Sequence, residues 1–510
     1  MGIPFYFRYL LSNHREAVLG RHVQGRYDYL CIDFNCLIHK CAQTVAQQCA
    51  HRDTDALHEA IFACIVAYTD RLIELVRPRR GTYLAVDGVP PLAKIQQQRK
   101  RRYMSVYEKR YTGSHSLWNS NVVTPGTEFM TKLSRILAEG MEGLTVLSDW
   151  TEPGEGEHKI FRFLAGIEGP KPSAIIYGLD ADMIMLSLMH PEHEIVLLRE
   201  KECVILSKPL PQHFNVVDIA QLRTAVRARM GANDDACVQD YIALCMLVGN
   251  DFVPPLSYLQ ILRDDIDVLL DAYRAGRTTC GGNLVDFAVC PPALNYRLLT
   301  QIVQSLAVDE DRAMQAATDE YYTRPVPPGR QWKHYPLMYK FPRGLINPTH
   351  KGWRMQYYAH LFGPHADPSA IVSSYLEGLE WNLQYYARNE APEEQWFYPF
   401  TYSPTIKDLH NFLVAKKGPD PDWRARYTMS PITLTPLVQL LAVIPPEDKL
   451  LLPERYRELS TDLRHGCVQY YPVTFGILTF LKTFAWETVP VLPNVDIGDI
   501  ADATGVLSVP

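Results

Sequence analysis

No C-x-x-C pair occurs in the 510 residues, although the chain carries 11 cysteines. An odd number of scattered thiols gives neither a disulfide framework nor a zinc knuckle, and points to a reducing compartment. No run of about 18 apolar residues is present, so no membrane span is expected. The opening residues, Met1-Gly2-Ile3-Pro4-Phe5-Tyr6, lack the basic and long apolar regions of a secretory leader, and Tyr6 stands where a myristoylation pattern needs Ser or Thr. An intracellular protein is expected, cytoplasmic or nuclear. Internal repeats and low-complexity tracts are missing as well. So is net positive charge: 51 Lys and Arg against 57 Asp and Glu leave −6. Read as a bulk property, that argues against a nucleic-acid-binding domain, whose pI usually exceeds about 9.

What is present is ordinary globular composition, 47% hydrophobic and 21% charged, which excludes disorder, collagen and coiled coil for most of the chain. Short apolar runs at 27–32 (YDYLCI), 82–86 (TYLAV) and 174–179 (AIIYGL) read as buried parallel strands, with helical patterns at 55–76, 94–111 and 127–140 between them. That alternation predicts an α/β fold with a mostly parallel central sheet flanked by helices. Glycine and proline pairs weaken the pattern after 275, so residues 1–275 read as a first block and 276–334 as a connector. A second, largely helical block at 335–485 is crowded with aromatics, read chiefly as a packing layer, and 486–510 reads as a loose tail.

Each expected strand ends in a carboxylate. Asp33 follows the first, Asp87 the second, and Asp180 and Asp182 the third. Functional groups in open α/β sheets gather outside the carboxyl ends of the strands, so residues distant in sequence converge there. Glu155 and Glu157 form a second spaced pair in Pro153-Gly-Glu-Gly-Glu-His-Lys159, and Asp251 follows an apolar stretch, 241–248, read as a buried helix. Acids at i and i+2 share one side of an extended chain. Seven carboxylates in one cleft repel each other and raise each other's pKa, a conflict that divalent cations resolve. Oxygen-only ligands favour Mg²⁺ or Mn²⁺ over zinc, and two such ions about 4 Å apart support displacement at phosphorus.

Residues 94–110 (KIQQQRKRRYMSVYEKR) hold seven cations against one acid. Lys94, Gln98 and Arg101 fall on one helical face with Arg102 at its edge, offering several donors to one phosphate. A solvated charged face and a nuclear signal are the competing readings of that run. Its start seven residues after Asp87 favours a phosphate pocket beside the metals.

These same stretches carry a resemblance. Residues 1–10 (MGIPFYFRYL), 31–41 (CIDFNCLIHKC), 85–103 (AVDGVPPLAKIQQQRKRRY), 152–160 (EPGEGEHKI), 177–186 (YGLDADMIML) and 247–256 (LVGNDFVPPL) resemble the Xrn-type 5′→3′ exoribonucleases, as do 375–386 (YLEGLEWNLQYY), 396–404 and 434–462. The resemblance implies a nuclease core of the PIN/FEN type with the second block enclosing its site. It implies that Asp33, Asp87, Glu155, Glu157, Asp180, Asp182 and Asp251 bind two Mg²⁺ or Mn²⁺ ions. It further implies that Lys94, Gln98, Arg101 and Arg102 hold a 5′-monophosphate, and that His39 and Trp381 stack on bases. Asn35 and Lys159 read as accessory to the site, Lys159 as a neutraliser of the scissile phosphate.

The implied activity is processive, metal-dependent degradation of single-stranded RNA from a 5′-monophosphate end, by an enzyme expected to be a monomer. A flap-type, structure-specific DNA nuclease and a non-catalytic RNA-binding or scaffold protein are the rival readings. Cys36 departs from the family, which usually has glycine after Asn35, and the 252–374 segment is shorter than the family's. The chain therefore reads as a compact member lacking C-terminal accessory domains.

Overall fold

Six strands, β1 (Tyr29–Asp33), β2 (Gly81–Ala85), β3 (Thr145–Ser148), β4 (Ser173–Tyr177), β5 (Glu194–Glu200) and β6 (Phe214–Asp218), form one sheet in the order β3-β2-β1-β4-β5-β6. All neighbours are parallel except β5 and β6. The structure is a computed structural model. It describes the chain except residues 1, 2, 4, 19–22, 49–52, 114–117, 141, 142, 144, 202–213, 233, 261–264, 288, 330, 429–432, 462–465 and 505–510. Parts of the 1–10 and 434–462 stretches and the end of the tail thus lie outside the described residues. Among the described residues, no helix is long and apolar enough to cross a membrane.

The strands are apolar on both faces because helices cover both. Cys31, Tyr83, Ala85, Ala174 and Ile176 point into one core, Leu30, Ile32, Leu84, Ile175 and Tyr177 into another, as the period of two requires. Helices α2 (Phe34–Gln48), α3 (Thr54–Val76) and α5 (Glu128–Gly140) close the second core. The first core extends under α6 (Gly156–Gly166), α7 (Asp182–Met189), α8 (Ile219–Met230) and α9 (Ala236–Met246). It then continues without a break into the aromatic block, where Tyr375, Trp381, Trp396 and Phe480 are buried. The first helix, α1 (Tyr6–Asn13), packs on the same side, and α4 (Leu92–Thr112) packs its Leu92 and Ile95 with helix Pro436–Val443.

The three expected strands and three expected helices are present within a few residues of their limits. Two assignments change. The 276–334 stretch contains helices Tyr296–Val308 and Glu310–Thr323, whose Leu298, Ile302, Val303 and Met314 are fully buried. Its glycine and proline pairs fall between those helices and their neighbours, where they punctuate rather than dissolve the fold. The tail carries helix Ile497–Thr504, with Ile497 and Ile500 packed against Val438–Ile444.

One carboxylate joins the blocks. Glu310 is fully buried and accepts from the backbone N–H of Ile406 (2.6 Å) and Lys407 (3.2 Å), from Ser257 Oγ (3.2 Å) and from Arg354 Nη2 (2.7 Å). Removing one partner of a buried charge pair strands the other. Glu310→Ala should therefore lower stability by about 3–5 kcal/mol, read as a loss of denaturant midpoint. A midpoint within the error of the parent would show that the clamp contributes nothing.

Candidate active site

The register of the sheet assembles the acids. Asp33 ends β1 opposite Ala85 of β2, and Ile32 is opposite Tyr177 of β4. Asp87 and Asp180 follow those two strands by two and three residues, so the chains that carry all three leave the sheet side by side. This is the carboxyl end of the sheet, flanking its central strand, where the connections diverge to opposite sides.

The second pair arrives on a helix start, and here the geometry differs from the extended segment expected. Glu155 is the N-cap of α6 and Glu157 lies in its first turn; Asp182 likewise opens α7, two residues after Asp180. Helix N-termini favour negative charge, so both pairs sit where backbone dipoles offset part of their repulsion. Gly156 makes the approach possible. Its N–H donates to Asp87 Oδ1 (2.6 Å), and a Cβ there would lie 2.7 Å from Ala85 O and 3.3 Å from Asp33 Oδ1.

The seventh acid, Asp251, sits in a tight turn after α9. Asn250 Oδ1 accepts from the N–H of Phe252 and Val253 (both 3.0 Å), and its Nδ2 donates to Asn382 Oδ1 at 2.7 Å. Asn382 lies on the long helix Pro368–Arg388, together with Gly378, Tyr385 and Tyr386. Gly378, Asn382 and Tyr385 share one face by their spacing, and a Cβ on Gly378 would lie 2.6 Å from Val253. Tyr385 donates to Glu155 Oε1 (2.8 Å) and Tyr386 to Asp182 Oδ1 (2.5 Å). These two hydroxyls were missed in sequence. Their only signal was a Tyr-Tyr pair ending a motif, and aromatics there read as packing.

Lys94 offsets part of the negative charge of the cluster. Lys94 Nζ lies 2.5 Å from Glu155 Oε2 and 2.8 Å from Asp251 Oδ2, with its side chain 11% exposed. Burial alone would lower its pKa, but Asp251 and Glu155 hold the ammonium well above its ordinary value. Lys94 in turn keeps Asp251 well below the usual carboxylate range against the cost of its burial. Despite its burial, Asp180 is also held below its ordinary value by nearby positive charges, Lys94 among them; the remaining acids are raised. Burial and the charges of Asp87 and Asp180 push Asp33 up to about 8. Burial and Asp251 push Asp182 to about 7, while burial with Asp182 and Glu155 raises Glu157 well above its ordinary value. Asp87 and Glu155 are raised as well, chiefly by burial. Oxygen atoms of Glu155 and Glu157 and a ring nitrogen of His158 lie within 4.8 Å of one another. A mostly carboxylate set whose members raise each other's pKa fits hard divalent cations, which would hold them ionised.

Asn35 supports this wall: its Nδ2 donates to Asp87 Oδ2 (2.7 Å) and its Oδ1 accepts from the Asp87 N–H (3.3 Å). Cys36 turns inward, its thiol donating to Asp33 Oδ2 at 2.9 Å. Lys159 is placed differently from expectation. It is buried, and its ammonium donates to the carbonyls of Val86 (2.9 Å) and Asp149 (2.8 Å), which fixes the segment that presents Asp87.

The basic face of α4 divides. Arg101 is exposed, whereas Arg102 is 6% exposed, and burial together with Arg101 pulls its pKa to about 9. Arg102 Nη1 has no hydrogen-bond partner among the described residues. Gln98 is also buried, its Oε1 accepting from Gln439 Nε2 (3.0 Å). His39 is exposed on α2, within the electrostatic reach of Arg101, Arg102 and Asp180. Trp381 does not present a ring face. It is 0% exposed, stacked on Trp396 (5.2 Å) and packed by Phe252 and Tyr385, with Nε1 donating to Glu393 O (2.9 Å). A free indole face and a motif position look the same in sequence; the aromatic shell that closes over this ring is set by the tertiary fold.

Two family models match the chain. The XRN 5′-3′ exonuclease N-terminus matches residues 1–201, and the Xrn1 helical domain matches 231–324 and 346–508. Human 5′-3′ exoribonuclease 1 is 27% identical over 97% of this chain, which spans 33% of the human protein. Chicken 5′-3′ exoribonuclease 2 is 26% identical, with 97% of this chain and 69% of the relative covered. Among solved structures, the catalytic core of Rad2 with its DNA substrate corresponds at 12% identity and a TM-score of 0.35, covering 84% of this chain and 97% of that one, too loosely to assign any residue a role. With both models matched in order across the nuclease core and the helical block, the chain belongs to the Xrn family of 5′-3′ exonucleases.

Proposed function

We propose that this protein is a metal-dependent exoribonuclease that removes nucleoside 5′-monophosphates processively from the 5′-monophosphate end of single-stranded RNA, acting as a monomer. One observation carries the reading: a buried guanidinium with an unpartnered Nη1, Arg102, stands next to exposed Arg101 and His39 at the edge of seven convergent carboxylates. A buried, unsatisfied charged donor costs stability and is explained by a ligand that completes it. A terminal phosphate is such a ligand, since it accepts from several guanidinium N–H groups at once. The exoribonuclease names of the relatives agree.

Asp33, Asp87, Glu155, Glu157, Asp180, Asp182 and Asp251 would hold two Mg²⁺ or Mn²⁺ ions. When bound, the ions supply an activated water and neutralise charge during in-line displacement at phosphorus. The chain's own groups do the rest. Arg101 and Arg102 seat the terminal phosphate, and Lys94 fixes Glu155 and Asp251 relative to it. Tyr385 and Tyr386 hold Glu155 and Asp182 by one hydrogen bond each; the second oxygen of Asp182 can turn to the ions, while that of Glu155 is shared with Lys94. His39 offers an exposed ring to the first base, a sequence-tolerant contact that suits an enzyme of all sequences.

Incubation with Mg²⁺ and 5′-monophosphate, 5′-triphosphate and 5′-hydroxyl forms of one unstructured RNA, beside a flap DNA, tests the reading. The monophosphate RNA should be consumed first, and preferred cleavage of the flap would replace this reading with a DNA nuclease. Asp180→Ala with Asp182→Ala should cost at least about 100-fold in rate; full activity would remove the metal assignment. Arg101→Ala removes charge-assisted hydrogen bonds worth about 1.5–3 kcal/mol. Its monophosphate preference should drop by about 10- to 100-fold, with the Mg²⁺ requirement unchanged.

A pH effect follows from Asp33 and Asp182. Both are raised, so the ion-free fold gains stability from their neutral forms at low pH and loses it as pH rises through about 7 to 8. Thermal melts with and without Mg²⁺ at pH 5.5 and 8.5 should show the larger Mg²⁺ stabilisation at the higher pH. An equal or reversed increment would mean that these carboxyls do not take up the metal.

A further inference from the structure

A cavity of about 650 Å³ runs along α4 on the face next to the one that carries Gln98 and Arg102. It follows the helix from Ala93 to Glu108, about 22 Å at 1.5 Å per residue. Asp251 and Arg101, which also belong to the active site, line it, Arg101 midway along that span, and Trp332, packed on Tyr107, stands at its outer end; Lys333 and Trp486 line it as well. Nothing in the proposed chemistry uses the groups between.

Those groups have the composition of a nucleotide site. Phe252, Phe397, Phe400, Trp332 and Trp486 supply aromatic surface, and any base can stack on such faces. Lys100, Lys333 and Lys482 join Arg101 as cations along the wall. Of the acids, Glu487 is turned aside, its carboxylate accepting from the N–H of Thr483 (2.9 Å) and Phe484 (2.8 Å), and Asp251 is paired with Lys94. That leaves Glu108 at the outer end. Gln96 lines the cavity while 7% exposed, and its Nε2 has no hydrogen-bond partner among the described residues; neither has Oε1 of neighbouring Gln97. Amide groups of this kind are what pair with base edges. The volume lies in the range of small-molecule sites, which enclose most of the ligand.

We propose that this chamber receives the released nucleoside 5′-monophosphate and serves as its way out, an inference that rests on the exoribonuclease reading. The reason is steric. An enzyme that hydrolyses a strand from its end without letting go keeps that strand in the way in. Each cleavage leaves a mononucleotide between the acids and the phosphate pocket, and the next end cannot enter until it leaves. Arg101 lines both spaces, so the product's phosphate can pass from one to the other while remaining on one guanidinium. Stacking on the aromatic wall and contact with the lysines then hold the nucleotide clear of the acids.

The test uses the full chain with uridine 5′-monophosphate as probe, followed by tryptophan fluorescence, with uridine and inorganic phosphate in parallel. Trp332 and Trp486 line the chamber, so the mononucleotide should quench and the two fragments should bind more weakly. Trp486→Ala should weaken binding about tenfold, the scale of one base stack, and Lys482→Met should weaken the mononucleotide more than uridine. Lys333→Glu, at an exposed position, opposes the phosphate without touching the core and keeps the test open if Trp486→Ala does not fold. On a 5′-monophosphate RNA the same variants should slow successive cleavages several-fold relative to the first. RNA decay with no mononucleotide binding, or binding that ignores all three substitutions, overturns the chamber and leaves the exoribonuclease standing. Competition by an oligoribonucleotide but not by the mononucleotide would make the cavity part of the strand's own path and overturn the exit. No decay of any RNA removes the exoribonuclease and the product assignment together.

Discussion

Crowding of seven buried or half-buried carboxylates around the Lys94 ammonium is the constraint on which the rest depends. Water would dissipate their repulsion at little cost; a low-dielectric cleft does not. Lys94 compensates Glu155 and Asp251 at hydrogen-bonding distance, and Asp33, Asp87 and Asp182 are held in place by hydrogen bonds from the fold. The supports are accordingly numerous and polar: the Gly156 N–H on Asp87, the thiol of Cys36 on Asp33, and the phenols of Tyr385 and Tyr386 on Glu155 and Asp182. Each fixes one oxygen of a carboxylate whose neighbours would otherwise drive it aside.

That requirement explains why the two blocks share one core. The sheet can present Asp33, Asp87 and Asp180 by register alone. It cannot supply the hydroxyls that hold Glu155 and Asp182, nor the Asn382 amide that ties the Asp251 turn. All three come from one face of helix Pro368–Arg388, more than two hundred residues further along than α6. A nuclease core without that helix would keep its acids and lose their second supports.

Most of the acid set was legible in sequence because its signal is positional. A short apolar run followed by Asp marks the end of a buried strand, and parallel strands bring their ends together whatever lies between them. The strands β3, β5 and β6 were less visible, being short or partly polar, and the helices of 276–334 were obscured by the proline and glycine pairs that flank them. What fails at the site fails for a shared reason. Lys159 and Trp381 have residue types suited to phosphate and base, yet their tips are committed to carbonyls and to an aromatic shell, and such commitments are made by distant segments. Tyr385 and Tyr386 were lost in the opposite direction, since an aromatic in a buried layer differs from a ligand-positioning phenol only in what its hydroxyl meets.

Charge shows the same limit in its simplest form. A net charge of −6 argues against a polyanionic partner only if charge is spread evenly. Here the acids of the cluster alone outnumber that excess, and they are enclosed, whereas Arg101 is open to solvent at the point where a phosphate would arrive. Because fields at a cleft are set by the nearest unscreened charges within about 10 Å, a strand approaching there would meet the Arg101 guanidinium first. The bulk average is never presented to it. An acidic protein can therefore seat a polyanion, provided its own anions are buried where cations are needed and its basic face is not.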